Sequence, residues 1–130
     1  MKKKTKIILG VVLAVVIAAG FLTNYMISIQ RYQNAVANMS FTHADAANVP
    51  DGTYIGECDV QFIYAKVEVT VQGGHITGID LLEHRHERGE AAEGIENEIV
   101  ARQKIDVDIV SGATNSSQVI KKAVDNALCP

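Results

Sequence analysis

Residues 7–22 contain no charged or strongly polar side chain, and Tyr25, Met26, Ile27 and Ile29 carry the apolar character past Thr23, Asn24 and Ser28. As a helix, a run of this length crosses a hydrocarbon core of ~30 Å. Ile29, Tyr32, Val36 and Met39 recur at helical spacing, so the helix is predicted to continue outward before a polar stretch, residues 41–50. From Asp51 the hydrophobic period becomes two. Asp51-Gly52 is a turn signal, Thr53-Tyr54-Ile55 favours a strand, and Ala65, Val67, Val69 and Val71 alternate with Lys66, Glu68 and Thr70. Gly73-Gly74 offers the positive φ angles of a tight hairpin. The next strand, residues 76–82, is expected to present Thr77, Ile79 and Leu81 on one face.

From Glu90 the pattern turns helical again. Ala91, Ala92, Ile95, Ile99 and Val100 form an apolar stripe, and Gly94 weakens that helix by ~1 kcal/mol relative to alanine. Ile105, Val107 and Ile109 alternate with Asp106 and Asp108, which predicts a return to strand. Ser111-Gly112-Ala113 makes a turn. Val119, Ile120, Ala123, Val124, Ala127 and Leu128 then form a helical stripe, with Asn115, Ser116 and Ser117 as capping side chains and Lys121 and Lys122 on the polar face. The fold class expected is α+β: an N-terminal transmembrane helix, then a small twisted antiparallel sheet packed with two helices. The map is a basic tail (1–6), an anchor (7–28), a helical extension and linker (29–50), and a folded domain (51–130).

Charge sharpens this picture. Before residue 41 the only charged side chains are Lys2, Lys3, Lys4, Lys6 and Arg31, a net +5. After it, seven Lys/Arg face fifteen Asp/Glu, a net −8. By the positive-inside rule the N-terminus lies in the cytoplasm and the domain outside it, on a single-pass span of the cell membrane. A cleaved signal peptide, with Ala18 and Gly20 near its end, is the alternative; either way the domain is exported. The acidic domain argues against nucleic acid as a partner. Cys58 and Cys129 would meet a non-cytosolic environment, where they can pair or stay free; neither sits in a CxxC arrangement.

The most charged stretch is His84-Arg85-His86-Glu87-Arg88-Gly89-Glu90. Two histidines beside Glu83 and Glu87 invite a metal reading, but a transition-metal site needs three or four converging ligands and no second cluster stands out. A solvated loop and no metal is the expectation. Arg85 or Arg88 can reach an anionic ligand, or simply face water.

The remaining feature is Asp108-Ile109-Val110-Ser111-Gly112-Ala113-Thr114, with Asn115-Ser116-Ser117 directly after it. An apolar run, a small-residue turn and a helix start expose backbone N–H groups at the positive end of a helix dipole, a setting for phosphate. This run resembles the flavinylation motif of the FMN-binding domain family, an acidic residue, two variable positions and Ser/Thr-Gly-Ala-Thr. Asp51-Gly52-Thr53-Tyr54-Ile55-Gly56 and Ile76-Thr77-Gly78-Ile79-Asp80 are similar to that family's opening. The resemblance implies FMN as cofactor, joined through a phosphoester to Thr114, as in the flavin subunits of the Rnf and Na+-translocating NADH:quinone reductase complexes. It implies Ser111, Gly112, Ala113, Asn115, Ser116 and Ser117 around the cofactor, with Asp108 read by a modifying flavin transferase. The Glu-Thr pair that many members carry is replaced here by Glu87-Arg88. The function implied is electron transfer by a membrane-anchored extracytoplasmic flavoprotein, with a membrane or extracytoplasmic redox partner. The alternatives are a flavin subunit of a larger membrane reductase, or a non-redox extracellular module keeping the fold.

Overall fold

A computed structural model describes residues 2–42, 45–86 and 89–129. The chain divides into two compact units, residues 1–34 and 35–130. The first is formed by helix α1 (Lys3–Ala37), whose 35 residues include none that is buried. At 1.5 Å per residue the helix is about 52 Å long, and an 18-residue window of it has a mean hydropathy of 2.5. It is long and apolar enough to cross a membrane, a composition that a signal sequence shares.

The second unit is built on a three-stranded antiparallel sheet in the order β1 (Gly52–Asp59), β2 (Tyr64–Gln72), β3 (His75–Arg85). The β2–β3 hairpin turns on Gly73 and Gly74, at φ 60° and 78°, the left-handed conformation that glycine takes without steric cost. Ala65, Val67, Val69 and Val71 of β2 are all buried, and their alternation fixes which face is inner.

The third strand departs from simple alternation. Register slips where Thr70 pairs with Gly78 but Val71 pairs with Ile76, and again where Lys66 pairs with Glu83 but Val67 pairs with Leu81. Thr77 and Leu82 are the extra residues, each a bulge that reverses the inward–outward parity of the strand beyond it. Ile76 and Ile79 are therefore both buried, whereas Thr77 is exposed with its hydroxyl on Thr70 O at 3.3 Å. This corrects the expectation that Thr77 shares a face with Ile79 and Leu81. The second bulge also brings His84 opposite Ala65, onto the inner face.

Two helices cover that face. Helix α3 (Thr114–Leu128) packs on β1 and β2, and α2 (Ile95–Arg102) packs on β3. Residues 90–94, predicted as helix, form a 3₁₀ turn (Glu90–Gly94) that leads into α2, leaving Ala92 buried and Ala91 exposed. Residues 104–113 form no strand. Val107 N–H donates to Ile105 O at 2.8 Å, a contraction that turns the backbone away from ladder pairing while Ile105 and Val107 still reach the core. Ile109 remains exposed.

The polar stretch expected as a linker is tied to α3. Thr42 donates through its backbone N–H and its hydroxyl to the buried Asp125 carboxylate, both at 2.9 Å. Lys122 Nζ donates to Ser40 O at 2.6 Å and reaches Asp125 Oδ2 at 3.2 Å. The folded unit therefore reaches back beyond Asp51.

Helix α3 meets β1 backbone to backbone at Gly56. A β-carbon there would overlap Ala123 O and Ala127 N and lie 2.7 Å from Ala127 Cβ. Gly56→Ala should therefore lower the unfolding free energy by about 3 kcal/mol, the upper range for overpacking, measured by chemical denaturation.

Both cysteines are free thiols. Burial pushes the Cys58 thiol up to about 11, against a smaller opposing pull from Lys122. Its thiolate fraction at pH 8 is then roughly one in a thousand. Iodoacetamide at pH 8 should label exposed Cys129 well before Cys58, and Cys58 labelling should accelerate as pH rises toward 11. Equal labelling rates at pH 8 would contradict this.

Candidate functional site

The site forms where the segment after α2 turns into α3. Ala113 N–H donates to Val110 O at 3.0 Å and closes a turn, in which Gly112 takes φ 82°. Nothing lies within 4 Å of where a Gly112 side chain would stand, so one face of the turn is open. Helix α3 begins at Thr114. Its N-cap is Ala113, which makes no side-chain capping bond, and no acidic residue sits in the first turn. The N-terminal end of α3 thus keeps its favourable field for an anion and carries no carboxylate to repel one.

The predicted site residues part company here. Asp108, Ser111, Gly112 and Thr114 are exposed, Asn115 is half-buried, and Ala113, Ser116 and Ser117 are buried. Ser116 and Ser117 do not cap the helix and do not face the open turn. Ser117 Oγ donates to Ala113 O at 2.7 Å and accepts from Val110 N–H at 3.0 Å, stapling the turn from inside. Ser116 Oγ lies 3.2 Å from His84 Nε2. Their hydroxyls are engaged within the protein, which corrects the expectation that they cap the helix. Ser116 lies about 200° around the helix from Thr114 and points toward the sheet when Thr114 points away, whereas Ser117, about 60° from Thr114, is buried beneath the turn it bonds.

The histidine stretch is likewise not a solvated loop. The His84 side chain is 2 % exposed and its Nδ1 lies 3.0 Å from Glu93 Oε1, which also sits 3.3 Å from His86 Nε2. These three side chains have the make-up and closeness of a metal-ligand set, within 4.8 Å of one another. The hydrogen bonds argue otherwise. Gly89 N–H donates to His86 Nδ1 at 2.9 Å, so neutral His86 carries its proton on Nε2, facing Glu93. A metal on that nitrogen would force the proton onto Nδ1, against another donor. The cluster is satisfied as two imidazole N–H groups on one carboxylate.

Arg85 is not brought to the turn. It lies on the outer sheet face, 3.8 Å from Asp59 and 5.5 Å above the Tyr64 ring. Glu87 and Arg88 lie outside the described residues.

Gln118 and Lys121 continue the Thr114 face of α3 at helical spacing. With Met39, Phe41, Ile105 and Asp106 they line a hollow of about 280 Å³, at the small end for ligand pockets (~300–1,000 Å³). Lys121 is buried, unlike the polar-face position expected for it, because Nζ donates to Val107 O at 2.9 Å and lies 3.5 Å from Asp106. Gln118 Oε1 is buried without a hydrogen-bond partner among the described residues. A buried unpartnered acceptor of this kind calls for a donor from outside the chain.

A profile of the FMN-binding domain matches residues 63–129, a little over half of the chain. The chain belongs to the FMN-binding domain family. Its cofactor is FMN, and the protein is an FMN-binding flavoprotein. An uncharacterized protein of Treponema pallidum (strain Nichols) is 32% identical over 85 residues, 63% of this chain and 24% of that protein. The chain therefore spans about a quarter of the length of that relative. The match to the family begins inside the β1–β2 connection, so β1 completes the sheet from outside the matched region.

Sequence reasoning missed His84, Gly89 and Glu93 as parts of this site. The spacing His-x-His with a glutamate seven residues beyond the second histidine was available as a signal. The bulge at Leu82, which turns His84 inward, was not.

Proposed function

We propose that this FMN-binding domain carries FMN on Thr114 through a phosphoester bond and relays electrons outside the cytoplasm from a membrane anchor. The observation that carries the reading is the sorting of hydroxyls at the helix start. Of Thr114, Ser116 and Ser117 in the first turn of α3, Thr114 alone is exposed, and it stands at an uncapped helix N-terminus.

The chemistry rests on that placement. Thr114 Oγ forms a bond to the flavin-side phosphorus of a flavin dinucleotide, the pyrophosphate bond breaks, AMP leaves and the hydroxyl proton passes to the transferase or solvent. The remaining diester bears one negative charge, which the first N–H groups of α3 and its dipole favour. Gly112 leaves the approach to the turn unobstructed, and exposed Asp108 is available to the modifying flavin transferase. Gln118 and Lys121 would hold the ring system through the unpartnered Oε1 and the ammonium. The cofactor supplies one- and two-electron transfer, and the protein supplies attachment and electrostatics.

Helix α1 supports anchoring by its length and apolar surface, and the lysines before the apolar run support a cytoplasmic N-terminus. A covalent link keeps the flavin with the domain where no cytoplasmic pool can replace it. Its redox partner would be a membrane or extracytoplasmic electron carrier.

The test is flavin fluorescence of the denatured full chain after co-expression with a flavin transferase. Wild type and Ser111→Ala should give a fluorescent band, and Thr114→Val should give a dark one. Fluorescence that survives in Thr114→Val would refute attachment there. So would a dark wild type beside a known acceptor labelled in the same cells.

A further inference from the structure

Helices are usually anchored at their start by a capping side chain that bonds the first N–H groups. In α3 that position is Ala113, which makes no such bond. A cap would compete for the same donors as a phosphate on Thr114, so the helix start has to be held by something else.

The holding groups lie underneath. His86 accepts the Gly89 N–H on Nδ1 and presents its own N–H to Glu93. His84 presents Nδ1–H to the same carboxylate oxygen at 3.0 Å. Its Nε2 is then the acceptor for the Ser116 hydroxyl at 3.2 Å. The donors and acceptors form one consistent chain: Ser116 Oγ–H to His84, His84 to Glu93. Ser116 is 2 % exposed, so solvent offers its hydroxyl no ready substitute. Gly89 closes the same spot, since a β-carbon there would overlap Ser116 Oγ and lie 2.6 Å from Ser116 Cβ. Ser116 is thereby fixed from two sides, two residues after Thr114 and about 200° around the helix from it.

We infer that His84 is a positioning residue for the flavin-acceptor turn: oriented by Glu93, it grips Ser116 and sets the attitude of the first turn of α3, with the Thr114 face left exposed. The inference rests on Thr114 being the attachment point. His84 touches neither the flavin nor the reacting atoms. Its effect is on how often Thr114 Oγ stands ready for attack, and so on the rate at saturation rather than on recognition of the exposed motif.

The test uses the full chain in detergent, a flavin transferase and its flavin dinucleotide, with initial rates of incorporation measured against chain concentration. Ser116→Ala and Glu93→Ala should each lower kcat about tenfold, a loss in keeping with misplacement of a reacting group, with KM within about twofold of wild type. Glu93→Gln, which keeps the acceptor oxygen, should restore the wild-type rate. Ser116→Ala combined with Glu93→Ala should be no slower than either alone, because both act through one chain of contacts. Circular dichroism confirms that each variant is folded at the assay temperature; if Ser116→Ala is not, the Glu93→Ala and Glu93→Gln pair decides. Unchanged kcat in the folded variants, a loss confined to KM, or multiplying losses in the double variant would overturn the role of His84 alone. A wild-type chain that accepts no flavin would overturn the attachment reading and this inference with it.

Discussion

The contact on which the second unit depends is the close approach of α3 to β1 at Gly56. Three antiparallel strands with one apolar face need a covering layer to bury it, and here α3 and α2 supply the cover. The missing side chain at Gly56 lets the backbone of α3 descend onto the sheet, so that Ala123 and Ala127 meet β1 directly. That descent fixes the rotation of the helix. With Ala123 and Ala127 against the sheet, Ser116 also faces inward and Thr114 faces out.

A helix N-terminus has unsatisfied donors that either a side-chain cap or a ligand can satisfy. In α3 the N-cap residue, Ala113, has no side chain that can take them. The helix start is held instead by Ser117, bonded to the turn before it, and by Ser116, whose hydroxyl meets His84. Asp125, with Thr42 and Lys122 on its carboxylate, secures the other end of α3. An exposed Thr114 at the start of a helix pinned from within is the arrangement that results. In the proposed arrangement the phosphate of FMN, the cofactor of this family, sits at that helix start.

Much of this was legible in the chain. Alternating valines gave β2, Gly73-Gly74 gave the hairpin, and the stripe from Val119 to Leu128 gave α3, because each is a local periodicity with one buried face. The motif residues were legible as a turn before a helix. Two things were not. The bulges at Thr77 and Leu82 depend on pairing between strands, and a one-residue slip reverses which side chains face the core. Without the bulge at Leu82, the alternation that buries Ile79 would turn His84 outward, as one more polar residue in a charged run. The inward turn of Ser116 and Ser117 was also hidden, since serine near a helix start is most often a cap. Their burial comes from tertiary contacts, Ser116 against Gly89 and His84 and Ser117 against the turn before the helix, not from local preference. Residues 105–109 show the same limit in reverse: their alternation reads as a strand, but among the described residues no neighbouring strand pairs with them.

The central claim is that Thr114, and no other hydroxyl of the motif, is the flavin acceptor. Peptide mass spectrometry of the chain purified after co-expression with a flavin transferase tests it most directly. The mass of FMN less one water is predicted on Thr114, with Ser111, Ser116 and Ser117 unmodified. FMN found on any of those serines, or on no residue while the transferase is demonstrably active, would contradict it.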